Sequence, residues 1–205
     1  MFRLLFAAVA AFSVIHPVGA QPPAQAAAGA PGAWNVDPAH SAAHFSVKHL
    51  MVSTVRGTLG KITGTIEYDG TSVQSIKADI TIDVTAVTTG NDNRDADLKS
   101  PNFFDVAKYP TLTFKSKRVE PGTPGKFKLI GDLTLHGVTK EVTLDVEGPS
   151  PILKGQNGQQ RVGASATTTI NRRDFGLQYS RMMEAAPVVG DELQIQIDIE
   201  ATKRS

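Results

Sequence analysis

An alternation of apolar and polar residues with a period of two constrains the fold of this chain more than any other feature. In SIKADITIDVTAV, residues 75–87, the apolar side chains fall on one face of an extended strand and the charged or hydroxyl side chains on the other. The pattern recurs in KITGTIEY, TLTFKSK, DLTLHG, EVTLDVEG and ELQIQIDIEA, and RVGASATTTI and HFSVKHLM are further candidate strands. The sequence therefore predicts an all-β fold.

The number of one-sided strands favours a closed sheet. About eight of them, separated by turn residues such as Asp69-Gly70 and Asn157-Gly158, predict an antiparallel sheet with one buried and one solvated face. A twisted sheet of this size closes into a barrel or folds into a sandwich, and the last strand suits closure against an N-terminal strand. The interior of an eight-stranded barrel either is filled by side chains or holds one small ligand, and periodicity leaves both alternatives open.

The N-terminal region has a different composition from the rest of the chain. An apolar run from Leu4 to Ile15 is too short to span a membrane. It is followed by Val18-Gly19-Ala20, which supplies the small residues that a signal peptidase needs for cleavage after Ala20. We therefore predict a cleaved signal peptide over residues 1–20, with an uncleaved membrane anchor as the alternative. Residues 21–33 contain Pro, Ala, Gly and Gln and predict a flexible leader. The folded domain is predicted over residues 34–203, in an exported, periplasmic protein.

Composition excludes several classes of function. The chain contains no Cys, so neither disulfides nor thiolate metal sites stabilise it. Removal of Arg3 with the signal peptide leaves 20 Lys and Arg residues against 20 Asp and Glu residues. The domain is formally neutral and has no basic stripe, so we predict no nucleic-acid partner. It also lacks a polybasic segment of the kind that would indicate binding to anionic membranes.

The most obvious metal-ligand candidates are three histidines within ten residues, His40, His44 and His49. On a helix, His40 and His44 would share a face, but HFSVKHLM is predicted as a strand. In a strand they lie about 13 Å apart, which is too far to share one zinc ion. We therefore predict no metal site here.

The sequence also matches other catalytic and metal-binding motifs only in part, and it lacks the residues that those motifs require most strictly. Carboxylate and amide residues alternate over residues 91–97, but an EF-hand loop needs Gly and Glu where this sequence has Ala96 and Asn102. DFG at residues 174–176 stands without the other kinase motifs, and no GxSxG motif is present. The sequence predicts a protein that is not an enzyme and needs no cofactor.

Residues 91–110, NDNRDADLKSPNFFDVAKYP, interrupt the strand pattern. Asp92 or Asn93 can cap a helical turn, and Ser100-Pro101 can begin a second. The apolar residues of the segment, Leu98, Phe103 and Phe104, are predicted to form a cluster beside a sheet edge or barrel end. Two interpretations remain open, a plug that completes the core and a lid that contacts a ligand.

Four segments of this chain, in their order and spacing, resemble the YceI family of exported, lipid-binding (polyisoprenoid-binding) proteins. They are WNVDPAHSAAHFSVKHLMVSTVRGTLG, SIKADITIDVTAVTTGNDNRDADLKSPNFFDVAKYPTLTFKSK, GDLTLHGVTKEVTLDV and INRRDFGL. The resemblance implies an eight-stranded antiparallel lipocalin-like barrel with a short helical insert near residues 91–106. It also implies an interior that holds a long isoprenoid chain, such as a polyprenyl or isoprenoid quinone tail. The family commonly has RD-x-H-L-x-S, and Asp97 occupies the place of its histidine.

On this resemblance, the inward-facing residues are candidates for a ligand tunnel. The predicted wall comprises Phe45, Val47, Ile66, Ile80, Ile82, Phe114, Leu133, Leu135 and Leu144. The predicted mouth comprises Leu98, Phe103, Phe104, Phe175, Leu177, Met182 and Met183. The predicted partners are an isoprenoid or other amphipathic lipid and, transiently, membranes or membrane redox proteins, and oligomerisation is left open. The alternative function is a stress-linked protective or interaction module whose barrel is packed and holds no physiological lipid.

Overall fold

The computed structural model describes residues 32–155, 157–183 and 186–204. The predicted signal peptide, and all but the last two residues of the predicted leader, lie outside this part of the chain. Within it, strands and turns dominate, with one α-helix, α1 (Asp92–Lys99). None of the described helices is long and apolar enough to cross a membrane.

Thirteen strands are present in the described residues. They are β1 (Gly32–Val36), β2 (Ala42–His49), β3 (Ser53–Thr58), β4 (Ile62–Tyr68), β5 (Lys77–Asp83), β6 (Thr111–Pro121), β7 (Lys126–Leu135), β8 (Val138–Glu147), β9 (Leu153–Lys154), β10 (Gln160–Asn171), β11 (Met182–Met183), β12 (Ala186–Pro187) and β13 (Val189–Lys203). Short 3₁₀ turns occupy Val73–Ser75 and Arg172–Phe175. Strand β1 begins with Gly32 and Ala33, which the sequence assigned to the end of the leader.

Eight of these strands close into an antiparallel barrel in the order β1, β4, β5, β6, β7, β8, β10 and β13, and β13 returns to pair with β1. The predicted fold, an eight-stranded antiparallel barrel with a helical insert, is confirmed. The hairpin of β2 and β3 extends the wall, because β2 pairs with β13 over Val189–Asp198 and β1 pairs with it over Ala201–Lys203. Strand β3 was not predicted, since STVRGT lacks a regular apolar alternation.

The alternating residues face the barrel interior and the solvent in turn, as the sequence predicts. On β5, Ala78, Ile80 and Ile82 are buried, whereas Lys77 and Asp79 are exposed. The large ring of Phe114 on β6 lies against Gly131 of β7, where a Cβ atom would overlap the ring. A glycine within a strand therefore makes room for an aromatic side chain in the barrel interior.

The barrel has two different ends. At the first, which we call the Trp34 end, a cluster of Trp34, Tyr68, Val162 and Ala201 lies where β1, β4, β10 and β13 meet, and the Trp34 Nε1–H donates to the Tyr68 carbonyl at 3.0 Å. The opposite end carries α1 and the ends of β2 and β13, and we call it the helix end. Helix α1 follows β5 and caps its own N-terminus with Asn91, whose side chain accepts from the Arg94 N–H.

The buried carboxylate of Asp95 attaches α1 to the preceding loop. It accepts hydrogen bonds from the Thr88 hydroxyl (2.6 Å), the Thr89 N–H (2.8 Å) and the Thr89 hydroxyl. These bonds, that from Thr88 first, lower the pKa of Asp95. The Arg94 Nε–H also donates to the Thr89 hydroxyl at 2.7 Å. The Arg94-Asp95 pair of the sequence motif therefore positions the helical insert.

Candidate functional site

An apolar cavity of about 120 Å³ lies inside the barrel, and its lining extends from Tyr68 and Ala201 at the Trp34 end to Ile82 and Leu112 on the opposite side. Among the described residues that line it there is no charged side chain, and its polar groups are those of Tyr68 and Thr168. Side chains of β5, β6 and β7 form one wall, and Ile195, Ile197 and Ile199 of β13 lie in the other. Such a lining can bind hydrocarbon, and the Tyr68 phenol, whose pKa is raised by burial, is the one ionisable group among the described lining residues.

Strand β10 makes room for this cavity, because its inward positions carry small side chains. Ala164, Ala166 and Thr168 line the cavity, and Ala166 pairs with Val146 of β8 and with Ile197 of β13. Larger apolar residues occupy most inward positions on the other strands. Sequence reasoning recognised RVGASATTTI as a strand but missed these residues as site residues. The signal was the Ala and Thr content of an inward face that elsewhere carries Ile, Leu and Phe.

A second pocket, of about 200 Å³, opens at the helix end and is called the mouth pocket here. Its apolar surface comes from β2, α1, the residues after α1 and the segment before β13. The ring of Phe103 stacks on that of Tyr179, with centroids 4.7 Å apart. The described lining residues are Phe45, Val47, Lys48, His49, Val55, Arg94, Asp97, Leu98, Phe103, Phe104, Arg172, Leu177, Tyr179, Val188, Val189 and Leu193.

The buried Arg172 organises the segments around the mouth pocket. Its guanidinium donates to the carbonyl of Gly190 at 2.9 Å, to that of Leu177, and to the Asp191 carboxylate at 2.9 Å. Burial lowers the pKa of Arg172, and the neighbouring carboxylate of Asp191 opposes that shift. Sequence reasoning did not single out this residue, since an arginine is usually exposed. Its bonds identify it as a residue that holds the segment before β13 in place.

The two cavities approach each other along β13. Ile195 lines the interior cavity, and Leu193, the preceding inward residue, lines the mouth pocket. Phe45 of β2 pairs with Ile195 and also lines the mouth pocket. Other side chains at the helix end, among them Ile62, Val84, Leu135 and Phe175, are at most 2% exposed. A packed layer therefore occupies the helix end of the barrel, and Phe45 and Leu193 of the mouth pocket are neighbours of Ile195, which lines the interior cavity.

The structure divides the predicted site residues into three groups. Six line the interior cavity: Ile66, Ile80, Ile82, Phe114, Leu133 and Leu144. Six line the mouth pocket: Phe45, Val47, Leu98, Phe103, Phe104 and Leu177. Four line neither, since Leu135 and Phe175 are packed in the core and Met182 and Met183 are exposed on β11. Whether any of them contacts a ligand stays a prediction.

Asp97, at the position of the family histidine, lies on the wall of the mouth pocket. Its Oδ1 accepts a hydrogen bond from the Asn102 side-chain amide at 2.9 Å, and its backbone carbonyl accepts from the Ser100 hydroxyl at 2.7 Å. The carboxylate therefore joins α1 to the turn that follows it and leaves a polar group at the pocket surface.

Of the three histidines, His40 lies beside two carboxylates, those of Asp37 and Glu200. Its Nδ1 lies 2.9 Å from Asp37 Oδ2 and 4.0 Å from Glu200 Oε1. The Arg161 guanidinium donates to Asp37 at 3.0 Å and also to Glu200. The contact with His40 first, then the bonds from Ala39 and Arg161, lower the pKa of Asp37 to about 2. Because one guanidinium already pairs with both carboxylates, the cluster does not suit a metal ion.

A wider depression, of about 750 Å³, lies on the outer face of β2, β10 and β13. Polar side chains such as Ser46, Thr167, Gln194 and Gln196 line much of it. Its solvated lining is typical of the outer face of a barrel, and the enclosed cavities are the better candidates for a specific site.

Comparisons with known proteins agree with this architecture. The YceI-like domain family matches residues 34–201. A UPF0312 protein of Staphylococcus aureus (strain bovine RF122 / ET3-1) is 35% identical over 168 residues, which cover 82% of this chain and 95% of the relative. The crystal structure of the Campylobacter jejuni YceI protein matches with a TM-score of 0.66 and 33% identity, over 77% of this chain and 90% of that one.

A polyisoprenoid-binding domain from Saccharophagus degradans has a similar structure, with a TM-score of 0.62 over 84% of this chain and 99% of that domain. At 18% identity, this likeness concerns the fold alone. The match over residues 34–201, together with relatives at 33% and 35% identity, shows that this chain belongs to the YceI-like family.

Proposed function

We propose that this protein is a lipid-binding barrel that holds the tail of an isoprenoid lipid, such as a polyprenyl or isoprenoid quinone chain. The observation that carries the proposal is the interior cavity, whose described lining is apolar apart from Tyr68 and Thr168. The name of the Saccharophagus degradans domain, a polyisoprenoid-binding domain, supports the choice of ligand. Binding would serve transport, storage or scavenging of the lipid in the periplasm.

Burial of the tail supplies the affinity. Each CH₂ group removed from water contributes roughly 0.8 kcal/mol, so a few isoprene units provide a gross driving force on the order of 10 kcal/mol. Association costs reduce this figure by several kcal/mol. Hydrocarbon needs no charged partner, which agrees with the lining of the cavity. The proposed role is that of a binding protein rather than an enzyme, and no cofactor other than the bound lipid is needed.

The size of the interior cavity determines how a long tail would fit. Ligand pockets commonly measure about 300–1,000 Å³, whereas the interior cavity measures about 120 Å³ and the mouth pocket about 200 Å³. A long chain therefore requires both spaces, and displacement of Phe45 and Leu193 would join them. In this arrangement the tail enters from the helix end and its last units reach the Ala-lined wall of β10.

A packed barrel with no physiological lipid is the second candidate, and one observation favours it. Ile62, Val84, Leu135 and Phe175 fill the helix end with side chains that are at most 2% exposed. On this interpretation the protein is a protective or interaction module and the cavity is a packing defect. The two candidates differ in whether the barrel takes up hydrocarbon.

Native mass spectrometry of protein purified from the periplasm tests the proposal. We expect a mass adduct that organic extraction removes and that analysis of the extract identifies as an isoprenoid lipid. Delipidated protein should then take up polyprenol or ubiquinone at a ratio near one lipid per chain. Repeated preparations without an adduct, together with no uptake of either lipid, would establish the packed barrel instead.

A further inference from the structure

Four large apolar side chains are exposed at the helix end, two in the turn between β2 and β3 and two on the short strand β11. In the turn between β2 and β3, Met51 is 58% exposed and Val52 is 86% exposed. On β11, Met182 is 57% exposed and Met183 is 50% exposed. Together these four residues are called the tip residues. Among the described residues, the other large hydrophobic side chain with comparable exposure is Leu153, on β9 at the Trp34 end.

Backbone hydrogen bonds hold the two tips side by side. The Leu50 N–H donates to the Val188 carbonyl at 3.1 Å, and the Val188 N–H donates to the Arg181 carbonyl at 2.9 Å. Val188 also lines the mouth pocket, as does His49, which precedes the first turn. The tip residues therefore project from the rim of the mouth pocket.

The turn between β2 and β3 has large apolar residues at positions where the backbone conformation favours Asn or Gly. Leu50 and Met51 have φ values of 51° and 58°, and the turn closes with a hydrogen bond of 3.0 Å from the Val52 N–H to the His49 carbonyl. Asn and Gly favour positive φ at both central positions of such a turn, whereas large side chains strain it. Strained residues cluster at functional sites, and here the strained turn presents apolar side chains to solvent.

Cations flank both pairs of tip residues, and the mouth pocket beside them carries the Asp97 carboxylate. Residues 42–58 include Lys48 and Arg56 and no carboxylate, and neither cation forms an ion pair with another described residue. Arg181 directly precedes Met182, and Glu184, which follows Met183 in sequence, lies outside the described residues. Apolar tips flanked by cations are suited to the interface of an anionic bilayer, where acyl chains receive the apolar groups and head groups pair with the cations.

We propose that the tip residues insert into the interface of an anionic membrane and so place the mouth pocket on the bilayer surface. This inference rests on the proposed lipid-binding function, because it gives the isoprenoid tail a direct path between membrane and barrel. Two separate tips suit a fluid bilayer better than a protein partner, since acyl chains close around each tip whereas a protein must present a matching pocket for each.

Flotation with lipid vesicles tests the proposal on protein expressed as the full chain, with its N-terminus defined by intact mass. Vesicles of phosphatidylethanolamine and phosphatidylglycerol are compared with vesicles of phosphatidylcholine. We expect the wild type to float with the anionic vesicles. The double variant Met51→Ser/Val52→Ser should lose about tenfold or more of the partition coefficient, and Met182→Ser/Met183→Ser should weaken flotation as well. The matched control, Leu153→Ser, removes an exposed apolar residue from the opposite end and should float like the wild type.

Circular dichroism melts confirm that each variant is folded. Equal flotation of the wild type and both double variants would overturn the proposal, as would equal flotation with phosphatidylcholine. Loss of a wild-type dimer in the variants, without flotation of either, would assign the tips to self-association and also overturn it. Native mass spectrometry of the same samples separates the two proposals, because protein that carries lipid but never floats contradicts only membrane docking. Protein that floats yet never holds lipid contradicts only the lipid-binding function.

Discussion

The Trp34 end and the helix end are built from the same alternating strands, yet the interior cavity lies towards one end, whereas the barrel interior at the other end is packed and a pocket opens only at its rim. Towards the Trp34 end, Ala78, Ala164 and Ala166 face an open interior. In the interior of the helix end, Val84, Phe175 and Leu135 fill the space. Side-chain size, not strand pattern, therefore decides where this barrel can admit a ligand.

A pair of leucines on β7 offers the strongest test of this difference. Leu133 lines the interior cavity, whereas Leu135, on the same face of the same strand, lies in the packed layer. Leu135→Ala should reduce the free energy of unfolding by about 3–5 kcal/mol, because it creates a new cavity among packed neighbours. Leu133→Ala should cost nearer about 2 kcal/mol, since one side of Leu133 already faces a void. Urea unfolding measures both values, and equal losses would contradict the contrast between the two halves.

Filling the cavity should separate ligand binding from stability. Ala166→Leu places a larger side chain in the cavity and should reduce lipid uptake by about tenfold or more. It should change the free energy of unfolding by no more than about 1–2 kcal/mol. Thr167→Leu is the matched control, because its side chain lies on the outer face of the same strand. Uptake is measured with delipidated protein and polyprenol. Undiminished uptake by Ala166→Leu would place the ligand outside this cavity.

Removal of the carboxylate that anchors α1 should loosen only the helix end. Asp95→Ala deletes the acceptor of three hydrogen bonds from Thr88 and Thr89. Hydrogen exchange should become severalfold faster over α1 and the Thr88-Thr89 loop, with β4 and β5 unchanged towards the Trp34 end. Asp92→Ala, an exposed substitution in the first turn of the same helix, is the control. Faster exchange throughout the barrel would show that the two ends unfold together.

The smallest expected effect concerns acid stability at the Trp34 end. The folded-state pKa of Asp37 is lowered to about 2 by its contacts with His40, Ala39 and Arg161. An unfolded aspartate binds a proton first as the pH falls, so this carboxylate stabilises the fold above its unfolded pKa. That contribution is lost between about pH 5 and pH 2. Asp37→Asn should therefore flatten the decline of stability over this range, measured by urea unfolding at each pH. An unchanged slope would show that other carboxylates control acid unfolding.

The strand faces could be predicted from sequence because a period of two alone assigns residues such as Ile80 and Ile82 to the interior. The cavity could not, because it depends on which strands lie opposite one another and on the small residues of β10. The burial of one residue and the exposure of a residue pair also differ from the sequence-based expectation, and each difference has a physical cause. Arg172 is buried because its guanidinium donates to the backbone carbonyls of Leu177 and Gly190, the second of which lies 18 residues away in the sequence. Met182 and Met183 were assigned to the mouth on their irregular setting, and the structure exposes them on β11 beside the mouth pocket, whose lining does not include them.

The pairing of β13 has a consequence for how the chain folds. Its one edge follows β10 from Glu192 to Thr202, and its other edge pairs first with β2 and then with β1, 140 or more residues earlier in the sequence. Contacts between such distant residues are slow to form, on a scale of roughly milliseconds to seconds. Until β13 is in place, β10 and the N-terminal strands present unpaired edges to neighbouring chains. The strand that closes the cavity thus also ends the interval in which the folding chain is prone to aggregate.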